Sequence, residues 1–422
     1  MASTSKKQKV DSSDWGSLLN WMTSKSTVFP AFMILQLGPD CNAHMSVPFT
    51  EAKCNFKKLG VNKARLYLLD FYDIFSSGFD LLSTLKNKTR ELNVDEQRAV
   101  DVLDGFLRER EKHERSLHRI LQNWKTKDKS GKKKDCTLAV ALSEHLLGNL
   151  APGHSFVIDK RTRGKTKKCK CGMEDCKAKP VFRDTGIGDE RAWHGFIDIL
   201  FSSHPVGVLA ADHHSHKGEE TEDEKSYISE SSSSDWLSDG DSSDSDSDNE
   251  QDFHGVKTLC DVAAENQVIA QTIVFSYIQK KRHPDFRNFL IPNLLITPYH
   301  FTVLMYDSKN DILISSAPIP FFVDNNKAEE LRITSIVFLW MVLHYRTFCE
   351  GIDVEEIIKN QTIKDVREIQ SKFQERAREK FPFYEESASK IEIAKFTPTP
   401  VERLPTAGDF LSGCYLYGKR FV

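Results

Sequence analysis

The sequence predicts an α/β (α+β) protein with a mixed sheet core, helical N- and C-terminal extensions and a disordered acidic insert. Short β-rich runs alternate with helical patterns from Cys136 to Ser316. On either side of this stretch, apolar residues recur mainly at helical spacing. Between the predicted strands, residues 219–252 hold fourteen acidic residues and one lysine, and so polar a segment buries too little apolar area to offset its chain entropy.

The length of 422 residues has room for two or three domains. We expect a polar tail and a helical domain, joined by a basic linker to the core, followed by further helices and an irregular tail. The predicted boundaries are 1–14, 15–124, 125–135, 136–320, 321–380 and 381–422, with a basic loop at 160–180 and the disordered insert at 217–253.

Cysteine usage and hydropathy indicate the compartment. The nine cysteines lack the regularity of a disulfide framework, and no apolar run follows the polar start Met1 to Val10, so we expect a reducing, intracellular environment. The apolar stretch Ile333 to Tyr345 is shorter than the roughly 20 residues of a membrane span and predicts a buried core helix. The basic patch Ser5 to Val10 is a candidate nuclear-import signal, for which we expect the nucleus over the cytoplasm, or an ordinary solubilising tail. The oligomeric state stays open.

The predicted elements of the core follow a definite order. A helix with leucines at 138, 142 and 146 stops at Gly148. Three strands follow, and the insert then precedes a long helix and a second group of strands. The predicted ranges are Ser155 to Ile158, Phe196 to Phe201 and Val206 to Ala211, then helix Val262 to Gln279, then Leu290 to Ile296, His300 to Tyr306 and Asp311 to Ser315.

This αβββαβ order resembles the PD-(D/E)XK superfamily, the restriction-endonuclease-like phosphodiesterases, over roughly Cys136 to Ser316. The resemblance implies a first-helix glutamate, an aspartate on the second strand and an acidic-x-Lys on the third, which gather divalent metal. These map onto Glu144, Asp198 and Asp212. Carboxylates suit Mg²⁺ or Mn²⁺, and such a metal activates water for attack on a phosphodiester. Each acid also has an ordinary role, as a helix surface or turn residue.

The sequence departs from the family at the motif lysine. His214 occupies its position, and a histidine can act as a base near neutral pH but carries no permanent charge. Lys217 and Lys257 are alternative sources of that charge. Gln271 lies four residues before Phe275 and resembles the Gln-x-x-x-Tyr helix of some family branches, where the glutamine supports the metal site.

Two function classes follow from these residues. The first is a divergent or degenerate metal-dependent nuclease, in which Glu144, Asp198, Asp212, His214 and Gln271 form the catalytic site. The second is a non-catalytic nucleic-acid or chromatin interaction protein that retains the fold. A metal-free scaffold with coincidental acids is the third alternative.

A Cys-x-Cys-x4-Cys motif predicts a zinc site. Cys169, Cys171 and Cys176 lie too close together in a reducing compartment to be explained easily without a metal. The octapeptide resembles the post-SET zinc segment of histone lysine methyltransferases, although nothing else in the chain resembles a SET domain. Zn²⁺ needs a fourth ligand, and Cys136, Cys260 and a nearby histidine are the candidates.

The charged segments indicate partners. The flank from Lys160 to Lys170 suits contact with a nucleic-acid backbone, although it lacks the aromatic residues that stack on bases. In the acidic insert, five serines have an acidic residue three positions on, which predicts an acidophilic kinase as a partner. The insert can mimic nucleic acid and occupy the basic flank, or it can simply be a solubilising loop.

Overall fold

The strands of the protein extend over most of the described chain. The computed structural model describes residues 30–62, 65–126, 134–162, 169, 171, 173–174, 176, 178–202, 204–211, 262–323, 330–360 and 363–389. The strands are β1 (Ala31–Gln36), β2 (Lys57–Lys58), β3 (Gly60–Asn62), β4 (Arg65–Leu66), β5 (Leu68–Asp70), β6 (Phe156–Asp159), β7 (Phe182–Arg183), β8 (Gly186–Gly188), β9 (His194–Phe196), β10 (Ile199–Phe201), β11 (Val206–Ala210), β12 (Leu290–Ile296), β13 (His300–Asp307), β14 (Ile312–Ser316) and β15 (Ile319–Pro320).

The helices flank these strands in three groups. They are α1 (Phe71–Ile74), α2 (Ser76–Asn87), α3 (Val94–Arg108), α4 (Arg110–Thr126), α5 (Lys134–Leu142), α6 (Gly148–Leu150), α7 (Val262–Arg282), α8 (Ile333–Leu343), α9 (Tyr345–Phe348), α10 (Val354–Asn360), α11 (Phe373–Ala377) and α12 (Phe381–Glu386). A π-helical turn, Ser143–Leu147, joins α5 to α6. Single 3₁₀ turns lie at Phe49–Glu51, Pro152–His154, Lys160–Thr162, Val366–Glu368 and Arg378–Lys380.

One mixed sheet dominates the described part of the chain. Its strand order is β2-β1-β14-β13-β12-β11-β10-β6-β7, with β5 also beside β1 and β15 beside β13. The strands β6, β10 and β11 form an antiparallel series, and β11 and β12 are parallel. A parallel pair needs a crossover connection, and α7 lies in the chain between these two strands. The predicted helix and strands after the insert are confirmed as α7, β12, β13 and β14.

The first part of the predicted helical region is instead extended chain. The prediction of helix is confirmed for α1 to α4 but is wrong for residues 31–70, which contain β1 to β5. β1 pairs antiparallel with β14, and Ile34 lies opposite Ile314. The strand forms because its apolar side chains pack in the large sheet beside β14. This partner is 280 residues away in sequence (314 − 34), so local periodicity cannot reveal it.

The hydrophobic core is continuous from Phe32 to Tyr384 within the described residues. All seven residues of β12 are buried, which is typical of a central strand covered by helices on both faces. The N-terminal helices dock on α8, since the indole of Trp340 donates to the Ala99 carbonyl at 2.9 Å. Trp193, which is fully buried, donates its indole N–H to Asn42 at 3.1 Å and its backbone N–H to the Tyr384 hydroxyl at 3.2 Å.

The C-terminal helices differ in part from the prediction. Helix α8 is buried along almost its whole length, as the apolar stretch predicts, and none of the described helices is long and apolar enough to cross a membrane. The further helices expected before residue 380 are short, because the stretch from Val354 to Lys380 is divided among α10, α11 and 3₁₀ turns. Ser371 donates to the buried Asp311 carboxylate, and Lys372 takes a left-handed φ of 65°, which together interrupt the helix.

Candidate metal centre and the Asp198 region

Four side chains with metal-binding atoms converge beside α5. The imidazole nitrogen of His145 and the sulfur atoms of Cys169, Cys171 and Cys176 all lie within 4.8 Å of one another. His145 Nε2 is 3.1 Å from Cys169 Sγ and 4.0 Å from Cys176 Sγ. Ligand atoms on a tetrahedral zinc lie about 3.3–3.8 Å apart, so this group could hold a metal such as zinc.

The π-helical turn presents His145 to the cysteines. Its first residue, Ser143, bonds back to the Ala139 carbonyl at 2.6 Å, and Gly148 follows the turn. A Cβ at Gly148 would lie well under 3.0 Å from the Ser143 carbonyl oxygen and from the Phe156 ring, so only glycine fits. Such turns are rare and recur at functional sites.

The surroundings of the cluster are apolar. Cys171 is 1% exposed and packs with Ile120 of α4 and Ala141 of α5. Burial, and to a lesser degree Lys112, lowers the pKa of His145 to about 4, so the imidazole is neutral at pH 7 and has a lone pair for a metal. Burial raises the pKa of the Cys169 and Cys176 thiols, and a bound cation would be needed to make them thiolates.

The three cysteines therefore meet as the motif predicts. Of the fourth-ligand candidates, a nearby histidine is the one that the structure brings to them. Nothing is described of the Cys136 side chain, and Cys260 lies outside the described residues. His145 adjoins Glu144 in the predicted helix, but its separation of 24 positions from Cys169 fits no short zinc spacing, so no local signal identifies it.

Asp198 forms hydrogen bonds with residues of two neighbouring strands, β6 and β11. It lies between β9 and β10, and its carboxylate Oδ2 accepts the backbone N–H of Ala210 on β11 at 2.9 Å. Its own N–H donates to the Val208 carbonyl at 3.2 Å, and its carbonyl accepts the N–H of Asp159 on β6 at 2.9 Å. The side chain is thus fixed where β6, β10 and β11 meet.

Gln271 reaches the same region from α7. Its Nε2 donates to the carbonyl of Phe196 at 2.8 Å, two residues before Asp198, and the residue is 2% exposed. Phe275, one helical turn later, is 1% exposed and lies in the core. The structure therefore brings Gln271 to the segment that carries Asp198.

A buried ion pair beside Asp198 has no counterpart in the sequence prediction. Asp159 is fully buried, and Arg161 donates to it from the backbone at 3.0 Å and from Nε at 2.6 Å. The Arg161 guanidinium carbon lies 3.4 Å from the centroid of the Phe196 ring. The Asp-x-Arg spacing is the only local signal for the pair, and contact with Phe196 depends on the sheet register.

The remaining predicted acids are only partly described. Glu144 is half-buried in the π-helical turn, and burial raises the pKa of its carboxyl to about 7. Asp212, His214, Lys217, Lys257 and the acidic insert lie outside the described residues. Among the described residues, the His145 group is the one place where three or more His, Cys, Asp or Glu side chains converge closely enough for a metal.

No sequence neighbour supplies a further assignment. The chain matches no protein-family model. Comparisons with curated proteins and with solved structures also found no significant match.

Proposed function

We propose that the protein is a divergent phosphodiesterase of the PD-(D/E)XK type that acts on nucleic acid with a divalent metal. The arrangement of elements supports this proposal. Helix α5, strands β6, β10 and β11, helix α7 and strand β12 occur along the chain in the αβββαβ order, with the short strands β7, β8 and β9 between β6 and β10. The four strands are neighbours in one sheet, with the last pair parallel.

The contact between Asp198 and β11 is the observation that carries the proposal. Its carboxylate bonds Ala210, the last residue of that strand, and Asp212 follows two residues later. Two residues of chain span at most about 7 Å, which limits how far the Cα atom of Asp212 can lie from that of Ala210. Two carboxylates that approach each other can hold one hard cation between them.

Each side chain has a separate role in the proposed reaction. Asp198 and Asp212 are the ligands for Mg²⁺ or Mn²⁺, with Glu144 as a third acid. When bound, the metal polarises a phosphate and activates water. Gln271 orients the Asp198 segment through Phe196. His214 is assigned the role of accepting or holding a proton near neutral pH.

We further propose that the His145 cluster holds Zn²⁺ in a structural role. Four protein ligands, such as three thiolates and one imidazole, are typical of a closed structural zinc site. A catalytic zinc instead keeps one position open for water. The cluster joins the cysteine segment to α4 and α5 through Cys171, Ile120 and Ala141. It therefore fixes the cysteine segment beside α5 and the π-helical turn that carries Glu144.

A cleavage assay on the full-length protein tests the activity. Single-stranded DNA, plasmid DNA and RNA are incubated with Mg²⁺ or Mn²⁺, and Asp198→Ala and Asp212→Ala are compared with the wild type. Asp101→Ala, which removes an exposed acid on α3, is the matched control. Cleavage that both site variants abolish and the control retains supports the proposal, and cleavage unaffected by Asp198→Ala overturns it.

A second function is favoured by the hydrogen bonds at this site. The Asp198 carboxylate and the Gln271 amide are each bonded to backbone, which is also what a structural role requires. A non-catalytic nucleic-acid or chromatin interaction protein would keep these contacts and would not need the motif lysine, which this sequence lacks. Binding of DNA or RNA without cleavage under either metal would favour this alternative.

A further inference from the structure

Arg161 is a basic side chain held in a fixed position at the sheet. It follows β6 in the 3₁₀ turn Lys160–Thr162 and begins the basic flank. Its side chain is 52% exposed, while its partner Asp159 is buried. The arginine therefore projects from a buried anchor toward solvent.

Two contacts fix the guanidinium. The Asp159 carboxylate accepts its Nε at 2.6 Å and also pairs with Nη2. The Phe196 ring lies against its face at 3.4 Å. A guanidinium has five N–H donors in a planar fork, and the pair with Asp159 uses two of them. The other three keep the geometry that suits two phosphate oxygens.

The anchor lies directly beside the proposed metal ligand. β6 pairs antiparallel with β10, with Ile158 opposite Ile199, and this register continues to Asp159 opposite Asp198. Phe196, on which Arg161 stacks, is two residues before Asp198 and is held by Gln271. Arg161, Asp198 and Gln271 therefore converge on one short stretch of backbone.

We propose that Arg161 binds the phosphodiester backbone of a nucleic acid at this site and supplies the positive charge that position 214 lacks. This inference rests on the proposed function for its choice of ligand. The charge does not depend on pH near neutrality, because an arginine stays protonated, and its rigid placement lowers the entropy lost on binding. Neither Lys217 nor Lys257 is needed in this role.

The competing explanation is that Arg161 only neutralises the buried Asp159. Removing the arginine alone would leave that carboxylate unpaired and could unfold the region. The informative comparison is therefore Asp159→Asn against Asp159→Asn/Arg161→Gln, because neither variant contains a buried charge at position 159. The difference in DNA affinity between these two variants measures the contribution of Arg161 alone.

The chain also provides a matched control. Arg191 pairs with Asp189 through Nε at 2.9 Å, two residues apart, and stacks on Phe383 at 4.1 Å. Asp189→Asn against Asp189→Asn/Arg191→Gln thus removes the same charges from a second Asp-x-Arg pair, in which the aspartate is 20% exposed and the arginine also pairs with Glu386. Arg191 contacts α12, whereas Arg161 contacts the segment before Asp198. Thermal melts of all four variants verify that each is folded.

Binding of a fluorescent single-stranded DNA oligonucleotide is measured over a range of salt concentrations, without added divalent metal or chelator. We expect Asp159→Asn/Arg161→Gln to bind about tenfold to hundredfold more weakly than Asp159→Asn. The slope of log K against log salt should fall by about 0.7, as expected for one lost phosphate contact. Asp159→Asn/Arg161→Lys should bind with an affinity between those of Asp159→Asn and Asp159→Asn/Arg161→Gln, because a lysine keeps the charge but lacks the planar fork of donors.

Two results would overturn the inference: equal affinity and slope for the Asp159 pair of variants, or an equal loss in the Arg191 pair. The activity of the wild type is judged separately. A wild type that binds through Arg161 but never cleaves contradicts the proposed function and leaves this inference intact. Cleavage and binding that survive the loss of Arg161 contradict this inference and leave the proposed function intact.

Discussion

His145 Nε2 lies 3.1 Å from the sulfur of Cys169, across 24 residues of sequence. This contact joins a π-helical turn to a cysteine motif and completes a set of four ligand atoms. The first prediction concerns this set. Purified protein should contain about one zinc per chain, and His145→Ala or Cys171→Ser should lose it because three ligands do not close a structural site.

Elemental analysis by mass spectrometry measures this zinc content. His118→Ala, on an exposed face of α4, and Cys349→Ala, a buried cysteine outside the cluster, are the controls and should retain the metal. Wild-type protein free of zinc, or zinc retained by both ligand variants, would contradict the assignment.

Gly148→Ala should destabilise the protein and weaken zinc retention together. The new Cβ would collide with the Ser143 carbonyl and the Phe156 ring, which forces the π-helical turn and His145 to move. We expect a loss of about 1–3 kcal/mol, typical of overpacking. Denaturant unfolding and zinc release to a chelator measure the two effects.

Gly105→Ala is the control for this substitution. A Cβ at Gly105 meets nothing within 4 Å, and the residue lies inside α3. The change should stabilise the protein by about 0.5–1 kcal/mol, since alanine favours a helix over glycine. Equal effects of the two alanines would contradict the role of Gly148.

Gln271→Met should lower the free energy of unfolding by about 1–3 kcal/mol, because it leaves the Phe196 carbonyl without its donor. Gln279→Met is matched to it, since both glutamines are 2% exposed on α7. Among the described residues, the Gln279 Oε1 has no hydrogen-bond partner, so replacing this glutamine should cost less stability. Comparable losses in denaturant unfolding would indicate that the Phe196 contact is unimportant.

Acid should destabilise the fold through buried histidines. Burial, and secondarily Arg346, lowers the pKa of His204 to about 4, and burial lowers that of His344 to about 3. An unfolded histidine titrates near about 6.5, so the unfolded chain binds more protons as the pH falls from there toward 4. The stabilisation is therefore complete above pH 6.5 and is lost through this window.

The variant His204→Gln should recover about 2 kcal/mol of the stability that the wild type loses between about pH 7 and pH 5. Denaturant unfolding at both pH values measures this difference, and His118→Gln on α4 is the exposed control. If His204→Gln and the wild type lose equal stability, the histidine is not protonated on unfolding as proposed.

The sequence predicted the elements whose patterns are local. Strands such as Leu290–Ile296 and helix Val262–Arg282 have apolar runs and helical spacing that identify them without tertiary information. The cysteine motif was likewise visible because its ligands are adjacent. In each case, the signal lies within the element or motif itself.

Features that depend on long-range contact could not be predicted. β1 forms against β14, and its apolar residues alone do not distinguish a strand from a helix. His145 is an ordinary helix residue until the π-helical turn brings it to Cys169. Arg161 gains its position from Phe196, which only the pairing of β6 with β10 brings near.

The proposed function depends most on where a hard cation binds. Crystals grown with Mn²⁺, with anomalous diffraction measured at the manganese edge, locate that cation directly. We predict a manganese peak bound by the carboxylates of Asp198 and Asp212. A structure in which these two carboxylates lie apart with no manganese between them would contradict the proposal.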